Sequence, residues 1–73
     1  MNLHNLKTDA QAVGLNRETI AHLTMLHELA VSSNRNLAWE HFWNAANTLE
    51  CCTPMDSPAF DFYMNLKQAI HNR

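Results

Sequence analysis

The sequence contains few of the residues that form tight turns or covalent cross-links. One glycine and two prolines are too few for the many tight turns that a β-rich fold requires. The two cysteines, Cys51 and Cys52, are neighbours in the chain and cannot close a useful loop, so a disulfide framework is excluded. A chain without disulfides suits a reducing compartment, and we expect a cytoplasmic protein.

Charged residues and long apolar runs are also scarce. Only 16% of the residues are charged, against about 25% in an average domain. Five Lys and Arg face seven Asp and Glu, and no basic tract could hold nucleic acid by electrostatics alone. No apolar run approaches the roughly 20 residues of a membrane span, and residues 1–9 lack the apolar stretch of a signal peptide. The surface is expected to be polar and weakly charged, which favours protein contacts.

Sequence motifs for catalysis and metal binding are missing as well. There is no glycine-rich phosphate loop, pair of catalytic carboxylates or nucleophile elbow. Of the five histidines, only His22 stands one helical turn from an acidic residue, Glu18, and none is spaced to share a metal with another. We therefore expect no enzyme activity, no cofactor and no metal site. Because a core of this size yields only about 3–5 kcal/mol, association with another chain is favoured.

Apolar residues recur at helical spacing, most clearly between residues 37 and 52. At 100° per residue the apolar side chains of this segment fall on one side of a helix and its polar ones on the other. Three aromatic residues lie within five positions, and each can bury roughly 150–250 Å². The segment is therefore predicted to be the central helix, with Cys51 turned outward and Cys52 in the core. Its apolar side consists of Ala38, Trp39, Phe42, Trp43, Ala45, Ala46, Leu49 and Cys52.

Two further helices are predicted on either side of this segment. The first covers residues 17–32 with Asn16 as its cap, and its core face holds Ile20, Leu23, Leu26, His27, Ala30 and Val31. A short polar connection follows, of the length that joins antiparallel neighbours, and Asn36 is expected to cap the central helix. The last helix covers residues 58–71, with Asp56 or Ser57 as cap and Pro58 first. Its core face holds Ala59, Phe62, Tyr63, Leu66, Ala69 and Ile70.

The N-terminal residues carry weaker signals. Thr8 and Gln11 match a capping box, which predicts a short helix over residues 9–13 that ends at Gly14 in the left-handed conformation. Leu3 and Leu6 could begin a helix or pack on the core as an arm. The fold class is therefore all-α: one domain, a small three-helix bundle with a short extra N-terminal helical segment. The expected core consists of Ile20, Leu23, Leu26, Trp39, Phe42, Trp43, Leu49, Phe62, Leu66 and Ile70.

The two outer helices each carry a second apolar stripe, formed by Met25 and Leu29 and by Phe60 and Met64. A three-helix bundle needs only one apolar stripe per helix, and small monomers seldom leave a second stripe exposed to solvent. Either the chain covers these residues itself or a partner does. Because methionine and aromatic residues adapt well to partner surfaces, we favour a small non-catalytic regulatory or adaptor protein. Its partner is a protein or, by two-fold pairing, a second copy in a homodimer.

Residues 10–23, AQAVGLNRETIAHL, resemble the helix-turn-helix of bacterial transcription regulators, particularly the cyclic-AMP receptor protein family. Ala10 precedes the turn glycine, Gly14, by four positions, and an Arg-Glu-Thr-Ile run opens the second helix, as in that family. The resemblance implies that Arg17, Glu18 and His22 would face base edges in the major groove of DNA. A DNA-binding transcription regulator is therefore the alternative function.

Overall fold

The structure, a computed structural model, describes residues 1–73 as four α-helices preceded by a short 3-10 turn at Leu3–Asn5. The helices are α1 (Leu6–Ala12), α2 (Arg17–Ser33), α3 (Asn36–Cys51) and α4 (Pro58–His71). The all-α prediction is confirmed, and the three long helices begin and end within one residue of the predicted bounds. None of the helices has both the length and the apolar character that a membrane crossing requires.

The central position of α3 is confirmed, since α2 packs on one side of it and α4 on the other. Phe42 of α3 is fully buried and packs with Leu23 of α2 and Leu66 of α4 in a single core. Ala30 and Ala46 are also fully buried, and such small side chains let helices approach closely. The N-terminal segment contacts both α2 and α4. The core comprises Leu6, Ala10, Ile20, Leu23, Ala30, Trp39, Phe42, Ala46, Phe62, Tyr63, Leu66 and Ile70.

Seven of the ten predicted core residues are buried, and the other three, Leu26, Trp43 and Leu49, are half-buried at the edge of the core. Two residues placed on core faces are exposed, which corrects the prediction. Val31 lies in the last turn of α2, and Cys52 lies just past the end of α3. At both positions the chain continues into a polar connection, so no packed helix lies beyond them.

The helix caps are local features, and most were predicted correctly. The side chain of Asn16 accepts a hydrogen bond from the Thr19 N–H at 2.7 Å. Ser57 does the same for the Ala59 N–H at 3.2 Å, with Pro58 as the first residue of α4. The predicted Asn36 cap is wrong, because Asn36 is the first helical residue of α3. Its side-chain oxygen instead accepts a hydrogen bond from Arg73 at 3.2 Å.

The start that the capping box predicted for the N-terminal helix is also wrong, whereas the alternative that Leu6 begins a helix is confirmed. Helix α1 begins at Leu6, directly after the 3-10 turn, and no side chain caps it. Leu6 and Ala10 are both buried against the bundle, so packing rather than a capping box determines where the helix begins. Its end is as predicted, since Gly14 has φ 81°. The Leu15 N–H bonds to the Ala10 carbonyl at 3.2 Å and the Gly14 N–H to the Gln11 carbonyl at 3.1 Å, the two bonds of a Schellman motif.

Candidate functional site

An exposed apolar surface lies on the side of α2 that faces away from α3. Ile20, Leu23 and Ala30 of α2 point into the core, and at 100° per residue the residues opposite them must face solvent. We call this surface the α2 outer face. Met25 is 49% exposed and Leu29 54% exposed, and the two are one helical turn apart. The α2 outer face consists of Glu18, His22, Met25 and Leu29, all exposed.

A groove with a volume of about 610 Å³ lies beside the α2 outer face, between α1 and α2. Met25 forms part of one wall, and Leu15 and Ile20 supply apolar lining. The charged side chains along the groove are Arg17 at the start of α2 and Glu28 three turns later, with Lys7 on α1. The groove therefore combines an apolar lining with charges of both signs.

The second predicted stripe lies on α4 and is separate from the first. Met64 is 45% exposed, whereas Phe60 is half-buried. Met64 borders two open grooves: one of about 330 Å³ with Trp43 and Lys67, and one of about 570 Å³ with Met1. Met25 lines neither of these two grooves. The structure thus divides the four predicted partner-binding residues into two surfaces.

The residues of the helix-turn-helix resemblance occupy two helices and the turn between them. Helix α1 and helix α2 are joined by residues 13–16, with Gly14 at the bend. Ala10, Ile20 and Leu23 are buried, while Arg17, Glu18 and His22 are exposed. The last two lie on the α2 outer face, beside Met25. DNA binding and protein binding would therefore use the same side of α2.

Two of the five cations, Lys67 on α4 and Arg73 just after it, are held by contacts with α3 that sequence reasoning did not predict. The Lys67 ammonium pairs with Glu50 and lies 5.1 Å from the centre of the Trp43 ring. The Arg73 guanidinium lies 4.6 Å from the centre of the Trp39 ring and donates to the Ile70 carbonyl at 3.2 Å. Lys7, Arg17 and Arg35 therefore remain available for a ligand.

His27 lies in an aromatic cluster at the edge of the core. Its ring centre is 5.8 Å from that of Phe42, 6.3 Å from that of Trp39 and 6.4 Å from that of His4. Burial lowers the pKa of His27 below its ordinary value, and the neighbouring His4 lowers it further, while Glu28 acts in the opposite direction. His27 is therefore predominantly neutral at pH 7, with a ring suited to apolar packing. Burial also raises the pKa of Tyr63.

The remaining reactive side chains do not form a cluster. No three His, Cys, Asp or Glu residues lie close enough together to hold a metal ion. Cys51 and Cys52 are free thiols, and both are exposed. The chain matches no protein-family model, and no curated protein or solved structure is significantly similar to it. The α2 outer face and the groove beside it combine exposed apolar side chains with open volume, and we take them as the candidate site.

Proposed function

We propose that this chain is a small, non-catalytic regulatory or adaptor protein of the cytoplasm that acts by binding protein through the α2 outer face. The observation that carries the proposal is the exposure of Met25 and Leu29, about half of each side chain, one turn apart on a regular helix. Covering apolar surface is favourable by roughly 25 cal/mol per Å². A partner helix laid along α2 would cover both side chains at once.

The chemistry of the α2 outer face supports a protein partner. The centres of protein interfaces are depleted of charge and enriched in methionine and aromatic residues. Here the side chains beside Met25 and Leu29 are Glu18, at the far end of the stripe, and His22. Little charge lies at the centre of this face, and the charges of Arg17 and Glu28 lie beside it, along the groove. The free, exposed thiols of Cys51 and Cys52 suit the reducing cytoplasm.

The α4 surface formed by Phe60 and Met64 supplies a second contact in this proposal. Because Met25 and Met64 line different grooves, a partner on one surface leaves the other open. Two separate contact surfaces on one small domain are what an adaptor requires. Each surface can therefore be tested alone.

The test is a pair of double variants analysed by sedimentation velocity and by binding to a candidate partner. Met25→Ser with Leu29→Ser should reduce association at least tenfold, and Phe60→Ser with Met64→Ser should affect only a second partner. The matched control is Val31→Ser with Leu37→Ser, because those side chains are 56% and 63% exposed but lie outside both surfaces. Unchanged association in the first variant would contradict the proposal.

A second candidate function, a DNA-binding transcription regulator, is supported by the exposure of Arg17, Glu18 and His22 at the start of α2. These residues lie on α2, which follows α1 after a short turn. In a helix-turn-helix, the second helix in this arrangement presents its first residues to the major groove. Binding to duplex DNA should then weaken steeply with salt and be lost in Arg17→Ala, while Arg35→Ala leaves it nearly unchanged. Failure to bind DNA at moderate salt would exclude this function and leave the protein-binding proposal intact.

A further inference from the structure

We propose that the partner of α2 is a second copy of this chain, packed antiparallel across a two-fold axis with Arg17 of each chain opposite the partner's Glu28. This inference rests on the proposed function of α2 as a protein-binding surface and specifies its occupant and register. The closest contact lies on the groove side of α2, and Met25 borders both the groove and the α2 outer face. Arg17 and Glu28 are both exposed and line the same groove. The only ion pair within the chain joins Lys67 and Glu50, so neither Arg17 nor Glu28 has a charged partner of its own.

The spacing of these two charges makes the helix complementary to itself. Residues eleven positions apart on an α-helix differ by only about 20° around the axis and are separated by about 16 Å along it. If two copies of α2 cross antiparallel about a point between residues 22 and 23, position 17 of each meets position 28 of the other. One two-fold axis then forms both Arg17–Glu28 pairs at once. A parallel pairing would instead place like charges side by side.

In the same register, small side chains meet at the crossing point of the two helices. Ala21 falls opposite the partner's Thr24, so two small side chains separate the helices at their closest approach. The Thr24 hydroxyl already donates to the Ile20 carbonyl at 2.7 Å and needs no partner in the interface. Met25 lies on the rim of the 610 Å³ groove between α1 and α2. In this register its side chain therefore packs at the edge of the interface.

A stable dimer requires a larger contact area than α2 alone can supply. A stable interface takes about 800 Å² from each partner, roughly a sixth of the 4924 Å² that this chain exposes. Helix α2 is about 25 Å long at 1.5 Å per residue, so the adjoining edge of α1, with Lys7 and Gln11, must contribute as well. Both residues line the same groove as Arg17 and Glu28. An unrelated partner would not need the matched spacing of Arg17 and Glu28, which favours a second copy.

The test is a charge exchange, measured by sedimentation equilibrium and by light scattering after size exclusion. Arg17→Glu and Glu28→Arg should each weaken dimerisation at least tenfold, because each places like charges opposite one another. The double variant Arg17→Glu with Glu28→Arg restores both pairs and should dimerise within about threefold of the wild type. Arg35→Glu, an exposed change at the start of α3 and outside the proposed interface, is the matched control, and circular dichroism verifies that every variant is folded.

Three results would overturn the inference. A wild-type chain that stays monomeric at high concentration excludes the dimer, and a double variant as weak as the single variants excludes the register. A monomer that binds duplex DNA through Arg17 would assign α2 to nucleic acid instead. If the monomer binds a different protein, and the double variant Met25→Ser with Leu29→Ser no longer binds that protein, the dimer is wrong but the proposed function stands.

Discussion

At the scale of single residues, His27 couples the packing of the core to pH. Its ring contacts Phe42 and Trp39, and burial keeps its pKa below the ordinary value of 6.5. As pH falls through 6.5 the unfolded chain therefore takes up the proton before the folded chain does. The free energy of unfolding must then decrease with falling pH, between 6.5 and the lower pKa of the folded state, and this contribution is constant outside that window.

We predict that His27→Gln reduces the loss of stability between pH 7 and pH 5, because glutamine has no proton to take up. Urea unfolding at several pH values, followed by circular dichroism, measures the slope directly. His41→Gln is the matched control, since His41 is exposed on the polar side of α3. Equal slopes in wild type and His27→Gln would contradict the assignment.

The side chains that sequence reasoning missed at this scale are long ones that reach across to a neighbouring helix. Trp43 was predicted to be core, but it is half-buried and the Lys67 ammonium lies over its ring. Asn36 was predicted to be a cap, but it bonds to Arg73. Helical periodicity gives the direction in which a side chain points around the axis of its own helix. It contains no information on a flexible cation that extends from another helix, so neither contact was predictable.

At the scale of secondary structure, the accuracy of each prediction depended on how local its signal was. The starts of α2 and α4 were predicted correctly because Asn16, Ser57 and Pro58 act within one turn of the backbone. Gly14 ends α1 for the same reason, since its φ of 81° is one that other residues rarely adopt. The start of α1 depends on Leu6, whose burial requires the rest of the bundle. That contact joins distant parts of the chain and leaves no periodic pattern in seven residues.

We predict that Leu6→Ala destabilises the protein by about 2–5 kcal/mol, the usual range for a buried leucine. Leu6 is 3% exposed, and a core of this size supplies only about 3–5 kcal/mol in total. The variant should therefore be largely unfolded, or should lose α1 from the bundle, as measured by circular dichroism and tryptophan fluorescence. Leu3→Ala, at a half-buried position, should cost less. A Leu6→Ala loss below about 0.5 kcal/mol would mean that α1 does not support the core.

At the scale of the whole molecule, the dimensions of the bundle explain why the second apolar stripes stay in solvent. The chain measures 33 × 19 × 19 Å, and packed helices lie about 8–10 Å apart. A cross-section of 19 Å therefore holds two layers of helices, and no helix can be enclosed on all sides. Periodicity indicated the existence of both stripes. It could not indicate that they form separate surfaces, because that depends on how α2, α4 and the N-terminal segment are arranged around α3.

The stability of an assembly of two chains depends on protein concentration. If two chains associate through α2, folding and association are linked, and a hundredfold increase in protein concentration adds about 2.7 kcal/mol per mole of dimer. For a chain of 73 residues we expect the midpoint of thermal unfolding to rise by several degrees over that range. The midpoint of Arg17→Glu should depend much less on concentration, whereas Arg35→Glu should behave as the wild type does. A wild-type midpoint independent of concentration would mean that each chain folds alone, with no partner on α2.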